Sequence, residues 1–296
     1  MKNLFFLTLS SLFLGANLIA QSVTPWLTRG DQSALLSQRS AVSFTTNTNS
    51  TSNTITLQST TSQVIDGFGF CLTQASAQVI FGLNSTKQNQ LLQELFGSNG
   101  LGISAIRISI GASDLSNSVY SYNETSGDVN MNNFSLNGPD KTYLIPILDK
   151  ILNINPDIKI LATPWTAPTW MKTNNDWTGG SLRTDRYDAY ARYFVKYLEK
   201  MNDEGITIWG ITPQNEPENG NNEPSMLMTS GQQKTFINNH LGPQIANSPF
   251  SPKIIAFDHN CDNTSYPIDV LNNSGYVDGA AFHLYGGNIS AMSQVH

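Results

Sequence analysis

Cysteine is nearly absent from this chain of 296 residues, which carries only Cys71 and Cys261. Two thiols exclude a disulfide framework. Cys71 falls on one strand and Cys261 beyond another four units later, so they are expected far apart, as free thiols rather than metal ligands. Charge is scarce too. Asp, Glu, Lys and Arg make up 13% of the residues, about half the usual share. A net charge of −6 and a pI near 5.1 argue against nucleic acid as a partner. After the N-terminus there is no apolar run of membrane-spanning length, and no basic amphipathic helix offers a lipid-docking face. A Gly-rich phosphate cradle and an internal repeat are also missing, and nothing calls for a cofactor.

What is abundant is Asn, Ser, Thr and Gln, a surface suited to an uncharged, hydroxyl-rich ligand. Residues 1–20 read as a secretory signal, with Lys2 as the charged start, Leu4 to Ile19 as the apolar stretch and Ala20 before the cleavage point. No Cys stands there to take a lipid anchor, so the mature protein is expected to be exported. Residues 21–63 are polar, with short β-type alternation at Ala41 to Phe44 and Thr54 to Gln58, expected as strands of a side β-sandwich.

From residue 64 to 296 strands alternate with helices. Strand candidates are Gly67 to Leu72, Ile103 to Ile110, Ile158 to Thr163, Ile206 to Thr212, Lys253 to Asp258 and Val277 to Leu284. Ser85 with Gln88 reads as a capping box for a helix that Gly97 closes. Tyr187, Tyr190, Phe194, Leu198 and Met201 recur at helical spacing until Gly205, and a third helix runs from Ser230 through Leu241. Continuously apolar strands between helices imply a parallel sheet buried on both faces. Six strands are too few for a complete (β/α)₈ barrel, so the expected fold is α/β, a TIM barrel truncated after about six βα units. An open doubly wound sheet would accept six strands, but the phosphate cradle it uses is missing.

Barrels of this kind do their chemistry at the C-terminal ends of strands. Those ends carry Asp66 and Thr73, Asp114, Trp165, Asn215 with Glu216, Asp258 with His259, and His283 with Tyr285. Carboxylates, imidazoles and aromatics converging on one mouth suit sugar chemistry, in which aromatic faces meet C–H faces and polar groups meet hydroxyls. Glu216 sits between Pro213 and Pro217, and a residue before proline is pushed toward extended geometry, so it is expected as the rigid end of a strand. There it either donates a proton to a leaving oxygen or merely caps the next helix or pairs with a Lys. Asp114 either binds ligand or caps the turn after Ile110. His283 alternates with Phe282 and Leu284 and so faces inward, as a ligand-binding or a core histidine. Trp165 is expected to face ligand, and Trp177 to plug a loop.

Together IDGFGFCLTQASA, RISIGASDLS, TPWTAPTWMK, YARYFVKYLEKMNDEGITIWGITPQNEPENG, LGPQIANS and AAFHLY resemble glycoside hydrolase family 30, the glucosylceramidase and endo-β-1,6-glucanase group. The resemblance runs from about Asp66 to Tyr285. It implies a barrel beside a β-sandwich and hydrolysis with retention of a β-linked glucoside, glucan or other glycan. By motif position it makes Glu216 the catalytic acid/base and Asn215 the partner of the sugar 2-hydroxyl. Asp114, Trp165, His283 and Tyr285 become substrate-binding residues. The nucleophile it implies is a Glu at the end of a seventh strand, beyond His296, and neither Asp258 nor Asp278 is assigned that role. A glucosylceramidase-like β-glycosidase is the leading expectation. An endo-β-1,6-glucanase, a xylanase or β-xylosidase, and a sugar-binding chain without activity are the rivals. Alone, residues 1–296 are expected to be inactive and poorly stable, with two open strand edges.

Overall fold

A computed structural model of the chain describes residues 21–44, 56, 59–60 and 63–296. The chain divides into two compact units, residues 1–63 and 64–296. In the first, β1 (Ser22–Val23) pairs antiparallel with β4 (Val42–Ser43), and β2 (Trp26–Leu27) with β3 (Ser37–Gln38). The strand expected at Ala41 to Phe44 is present as β4. The segment Thr54 to Gln58 lies, apart from Thr56, outside the described residues.

The second unit holds one parallel sheet of six strands: β5 (Gly69–Cys71), β6 (Ala105–Ser109), β7 (Lys159–Thr163), β8 (Gly210–Ile211), β9 (Lys253–Cys261) and β10 (Gly279–Gly287). Each strand lies beside its neighbours in sequence. That progressive order is how a barrel wall is laid down, whereas a doubly wound sheet reverses direction around its first strand. Gly69 is needed for the closeness of the first pair, because a Cβ there would stand 1.5 Å from the Ala105 carbonyl oxygen.

Helices α1 (Gln74–Phe81), α2 (Ser85–Phe96), α3 (Ile145–Ile154), α4 (Tyr187–Asp203), α5 (Ser230–Phe236), α6 (Gly242–Ala246), α7 (Ser265–Leu271) and α8 (Ala291–Val295) fill the connections. The stripe Tyr187, Tyr190, Phe194, Leu198 and Met201 of α4 is buried, as its spacing requires. Gly205 then takes φ +78°, and the Ile206 N–H turns back to the Met201 carbonyl at 2.9 Å. The third expected helix is α5, whose N-terminus carries a full Thr229–Gln232 capping box, running through a π turn at Ile237–Leu241 into α6.

The cap of α2 corrects the sequence expectation. Asn84, not Ser85, is the capping residue, and its Oδ1 accepts the Lys87 N–H at 3.0 Å. Gln88 is buried and donates to the Ile80 carbonyl at 2.8 Å, joining α2 to the end of α1. Strands β5 and β10 are the outer strands of the sheet, and Phe68, Phe70, Leu284 and Tyr285 are exposed. Between β5 and β8 a cavity of about 350 Å³ is lined by Gly69, Phe70, Cys71, Ile106, Leu161 and Trp209.

Candidate active site

The site is built where β8 and β9 end. The Ile206 to Thr212 run is apolar, but only Gly210–Ile211 keeps regular strand geometry. Beyond it the chain still tracks its neighbour, with Thr212 N–H bonded to the Ala162 carbonyl and Asn215 N–H to that of Pro164, at 3.1 and 2.8 Å. Glu216 departs from the extended geometry expected of a residue before proline and has φ +43°. It opens a turn, since its carbonyl accepts the Asn219 N–H at 2.8 Å, while its own N–H is held by the Asp258 carbonyl at 3.0 Å. Asp258 is strained as well. Phe257 and Asp258 have φ +69° and +63°, and the β9–β10 register steps from Ala281↔Phe257 to Phe282↔His259, so Asp258 is the extra residue of a β-bulge. Two backbone positions in a sparsely populated region are thus tied to each other, at a cost of about 1–3 kcal/mol each.

The side chains explain what that strain holds in place. His283 bridges two carboxylates, with Nδ1 2.9 Å from Glu216 Oε1 and Nε2 2.9 Å from Asp258 Oδ1. Arg107 donates through one terminal nitrogen to Asn215 Oδ1 at 2.7 Å and to Asp258 Oδ2 at 3.0 Å, with the Thr212 hydroxyl adding 2.8 Å to that same oxygen. Burial alone would raise the Asp258 carboxyl, but the Arg107 guanidinium and the His283 ring more than offset it and hold it far below the carboxylate range. Burial would likewise lower His283, yet its bonds to Asp258 and Glu216 push it up to about 9, so both ring nitrogens donate at neutral pH. Glu216 Oε2 accepts from Asn219 Nδ2 at 2.9 Å, and the His283 bond chiefly keeps its carboxyl below the usual range.

Above this network lies a cleft of about 470 Å³ whose lining includes Asp114, Glu216, Glu218, Asn222, His259 and Tyr285. Asp114 and Tyr285 therefore share the open cleft with Glu216, and the Tyr285 ring stands 6.2 Å from that of His283. Asn215 and His283 sit beneath them. Trp165 is buried, with the Arg107 guanidinium 4.7 Å over its ring, so that face meets protein. Two of the strand-end residues lie elsewhere. Asp66 is at the opposite end of the sheet, paired with Lys159 at the start of β7, because it precedes its strand instead of following it. Thr73 caps α1, its hydroxyl accepting the Ser76 N–H at 3.2 Å.

Arg107 escaped the sequence reading, although the signal was there: one charged residue on the inward register of the apolar strand AIRIS. Asn219 and Asn222 lie in a turn with no periodicity to flag them. Among the described residues no group of three or more His, Cys, Asp or Glu is arranged to hold a metal ion, and no helix is long and apolar enough to cross a membrane.

Comparison with known proteins supplies the family. Residues 65–295 match the glycosyl hydrolase family 30 TIM-barrel domain. The endo-1,6-β-D-glucanase of Neurospora crassa is 34% identical over 304 residues, covering 97% of this chain and 63% of its own length. The lysosomal acid glucosylceramidase of Mus musculus is 35% identical over 237 residues, covering 75% of this chain and 46% of its own. A solved endo-β1,6-glucanase superposes with a TM-score of 0.76 at 40% identity, over 79% of this chain and 55% of that one. The chain thus spans between about half and two thirds of these relatives. With the domain matched over residues 65–295 and a parallel sheet laid down in barrel order, this chain belongs to glycosyl hydrolase family 30.

Proposed function

We propose that this chain carries the acid/base half of a retaining β-glycosidase, with Glu216 as the proton donor. The observation that carries the reading is the position of the Glu216 carboxyl, at the cleft and bonded to a histidine that a second, buried carboxylate anchors. Glu216 protonates the glycosidic oxygen as the leaving group departs, then takes a proton from water in the second step. In this arrangement Glu216 is held toward its ionised form, which suits the base step. The acid step needs the opposite push, and a neighbouring carboxylate nucleophile, about 5–5.5 Å away in retaining enzymes, supplies it by like-charge repulsion. The family resemblance puts that nucleophile on a seventh strand. Asp258 is no substitute, because both its oxygens are engaged by Arg107, Thr212 and His283.

Arg107 fixes Asn215 through Oδ1 and leaves the amide nitrogen as the donor to a sugar hydroxyl. Asp114 and Tyr285 take hydroxyls and a sugar face at the open cleft, His283 orients the acid, and Trp165 backs Arg107. A glucosylceramidase-like activity and an endo-β-1,6-glucanase activity both fit this acid/base. The cleft favours the glucan, since apart from Tyr285 its walls are carboxylates, amides and an imidazole, which bind a hydroxylated leaving group better than hydrocarbon. Residues 64–296 form the catalytic domain, residues 21–63 contribute to a side β-sandwich, and the segment before Gln21 directs export.

The test is the anomeric outcome with the full-length gene product. On β-1,6-linked gluco-oligosaccharides, ¹H NMR of the first sugar released will show the β anomer. Release of the α anomer, or inactivity on every β-glucoside and β-xyloside, overturns the reading.

A further inference from the structure

We infer that Gln233, on a helix outside the cleft, is the positioning residue that sets the β9 bulge and through it the alignment of Glu216. The inference rests on the acid/base reading of Glu216.

A β-bulge disrupts the ladder around its extra residue, here Asp258, and a buried backbone donor beside it must find a partner outside the sheet. Here Phe257 N–H is aimed at the helix layer, where Gln233 Oε1 accepts it at 2.9 Å. Gln233 is wholly buried, and α5 is fixed at its start by the Thr229–Gln232 capping box, so the acceptor stands on a rigid element. Its Nε2 is buried without a partner among the described residues. The carbonyl is thus the end of this amide that the described residues engage. The bulge it braces does two things at once. It turns the Asp258 carboxylate onto Arg107 and His283, and it aims the Asp258 carbonyl at Glu216 N–H, 3.0 Å away. Without the brace, Phe257 and Asp258 are free to relax toward negative φ, which draws Asp258 out of the network from both ends.

Titration of the His283 ring reads the network directly, because the charged and titratable groups around it are Asp258, Glu216, Arg107, His259 and Tyr285. In the ¹⁵N-histidine-labelled full-length gene product, Q233M is expected to lower the His283 midpoint by about one unit or more. Q233E, whose carboxyl stays protonated in so buried a place and keeps a carbonyl acceptor without adding charge, is expected to restore most of the wild-type midpoint. Q232A destabilises the same helix at its cap and should leave the midpoint where it is. In the full-length gene product, Q233M is expected to lower kcat on the order of tenfold with KM little changed. A Q233M protein that melts earlier but keeps both its His283 midpoint and its kcat overturns the inference, because Gln233 then only packs. Should Q233M fail to fold, hydrogen exchange in the wild type decides: Phe257 N–H as protected as the α5 amides supports the brace, and free exchange refutes it. A shifted midpoint in a protein inactive on all β-glucosides sustains the brace and sinks the acid/base reading instead.

Discussion

At the scale of single residues, buried charge is the organising fact of this site. Arg107 and Asp258 meet at 3.0 Å with the carboxylate side chain 3% exposed, and removing one partner of such a pair strands the other. R107Q is therefore expected to cost about 3 kcal/mol in urea unfolding, the low end for a buried pair, because His283 and Thr212 still reach Asp258. Lys is a poor replacement, since its compact ammonium is more strongly hydrated than a guanidinium and costs more to bury beside Asp258. His283 gives the pH dependence its sign. Its midpoint near 9 lies above that of an unfolded histidine, about 6.5. Its stabilisation is thus complete below about pH 6.5 and lost as pH rises through 9, which after allowance for screening amounts to roughly 1–2 kcal/mol. H283Q should flatten melting temperature across that window. Asp140 acts in the other direction: burial pushes it up to about 6 although the Tyr122 and Tyr120 hydroxyls donate to it. Ionising it destabilises the fold as pH rises from about 4 to 6. D140N should remove that fall, seen as a melting temperature that gains on wild type toward neutral pH.

Among elements, α5 and β9 carry more of the site than their sequences advertise. The α5 cap is a plain motif, Thr229 with Gln232, and T229A is expected to cost about 1 kcal/mol in thermal or urea unfolding without altering the slope. The stripe of α4 was equally legible, because a period of 3.6 survives any tertiary context that buries one face. So were all six strand positions, though with uncertain ends: the apolar run Ile206 to Thr212 promises seven residues of strand and keeps two. What sequence could not show is the departure from regular geometry. Nothing local marks Phe257 and Asp258 for positive φ, and the rule for a residue before proline points the wrong way at Glu216. Both deviations are held by partners 24 to 151 positions away, Arg107, Gln233 and His283, and such contacts leave no periodic trace. Asn84 outcompeted Ser85 as a cap for a similar reason, since Gln88 is held by α1 and cannot close the box.

For the whole molecule, six strands in barrel order leave β5 and β10 as outer edges and a cavity of about 350 Å³ among residues that face inward. Open edges and unfilled interior surface invite association. Residues 1–296 produced alone are accordingly expected to sediment as oligomers at micromolar concentration, so the unfolding measurements above belong to the full-length gene product, and a monodisperse, cooperatively melting chain of residues 1–296 would contradict this. The proposed chemistry at the mouth hangs on one proton. The most direct measurement is the leaving-group dependence of E216Q in the full-length gene product, using aryl β-glucosides whose phenols span several pKa units alongside a gluco-oligosaccharide. If Glu216 is the proton donor, E216Q loses about 10²–10⁴-fold in kcat/KM on the oligosaccharide and far less on the most acidic phenol, which leaves without help. An equal loss on every substrate, or none, contradicts that role.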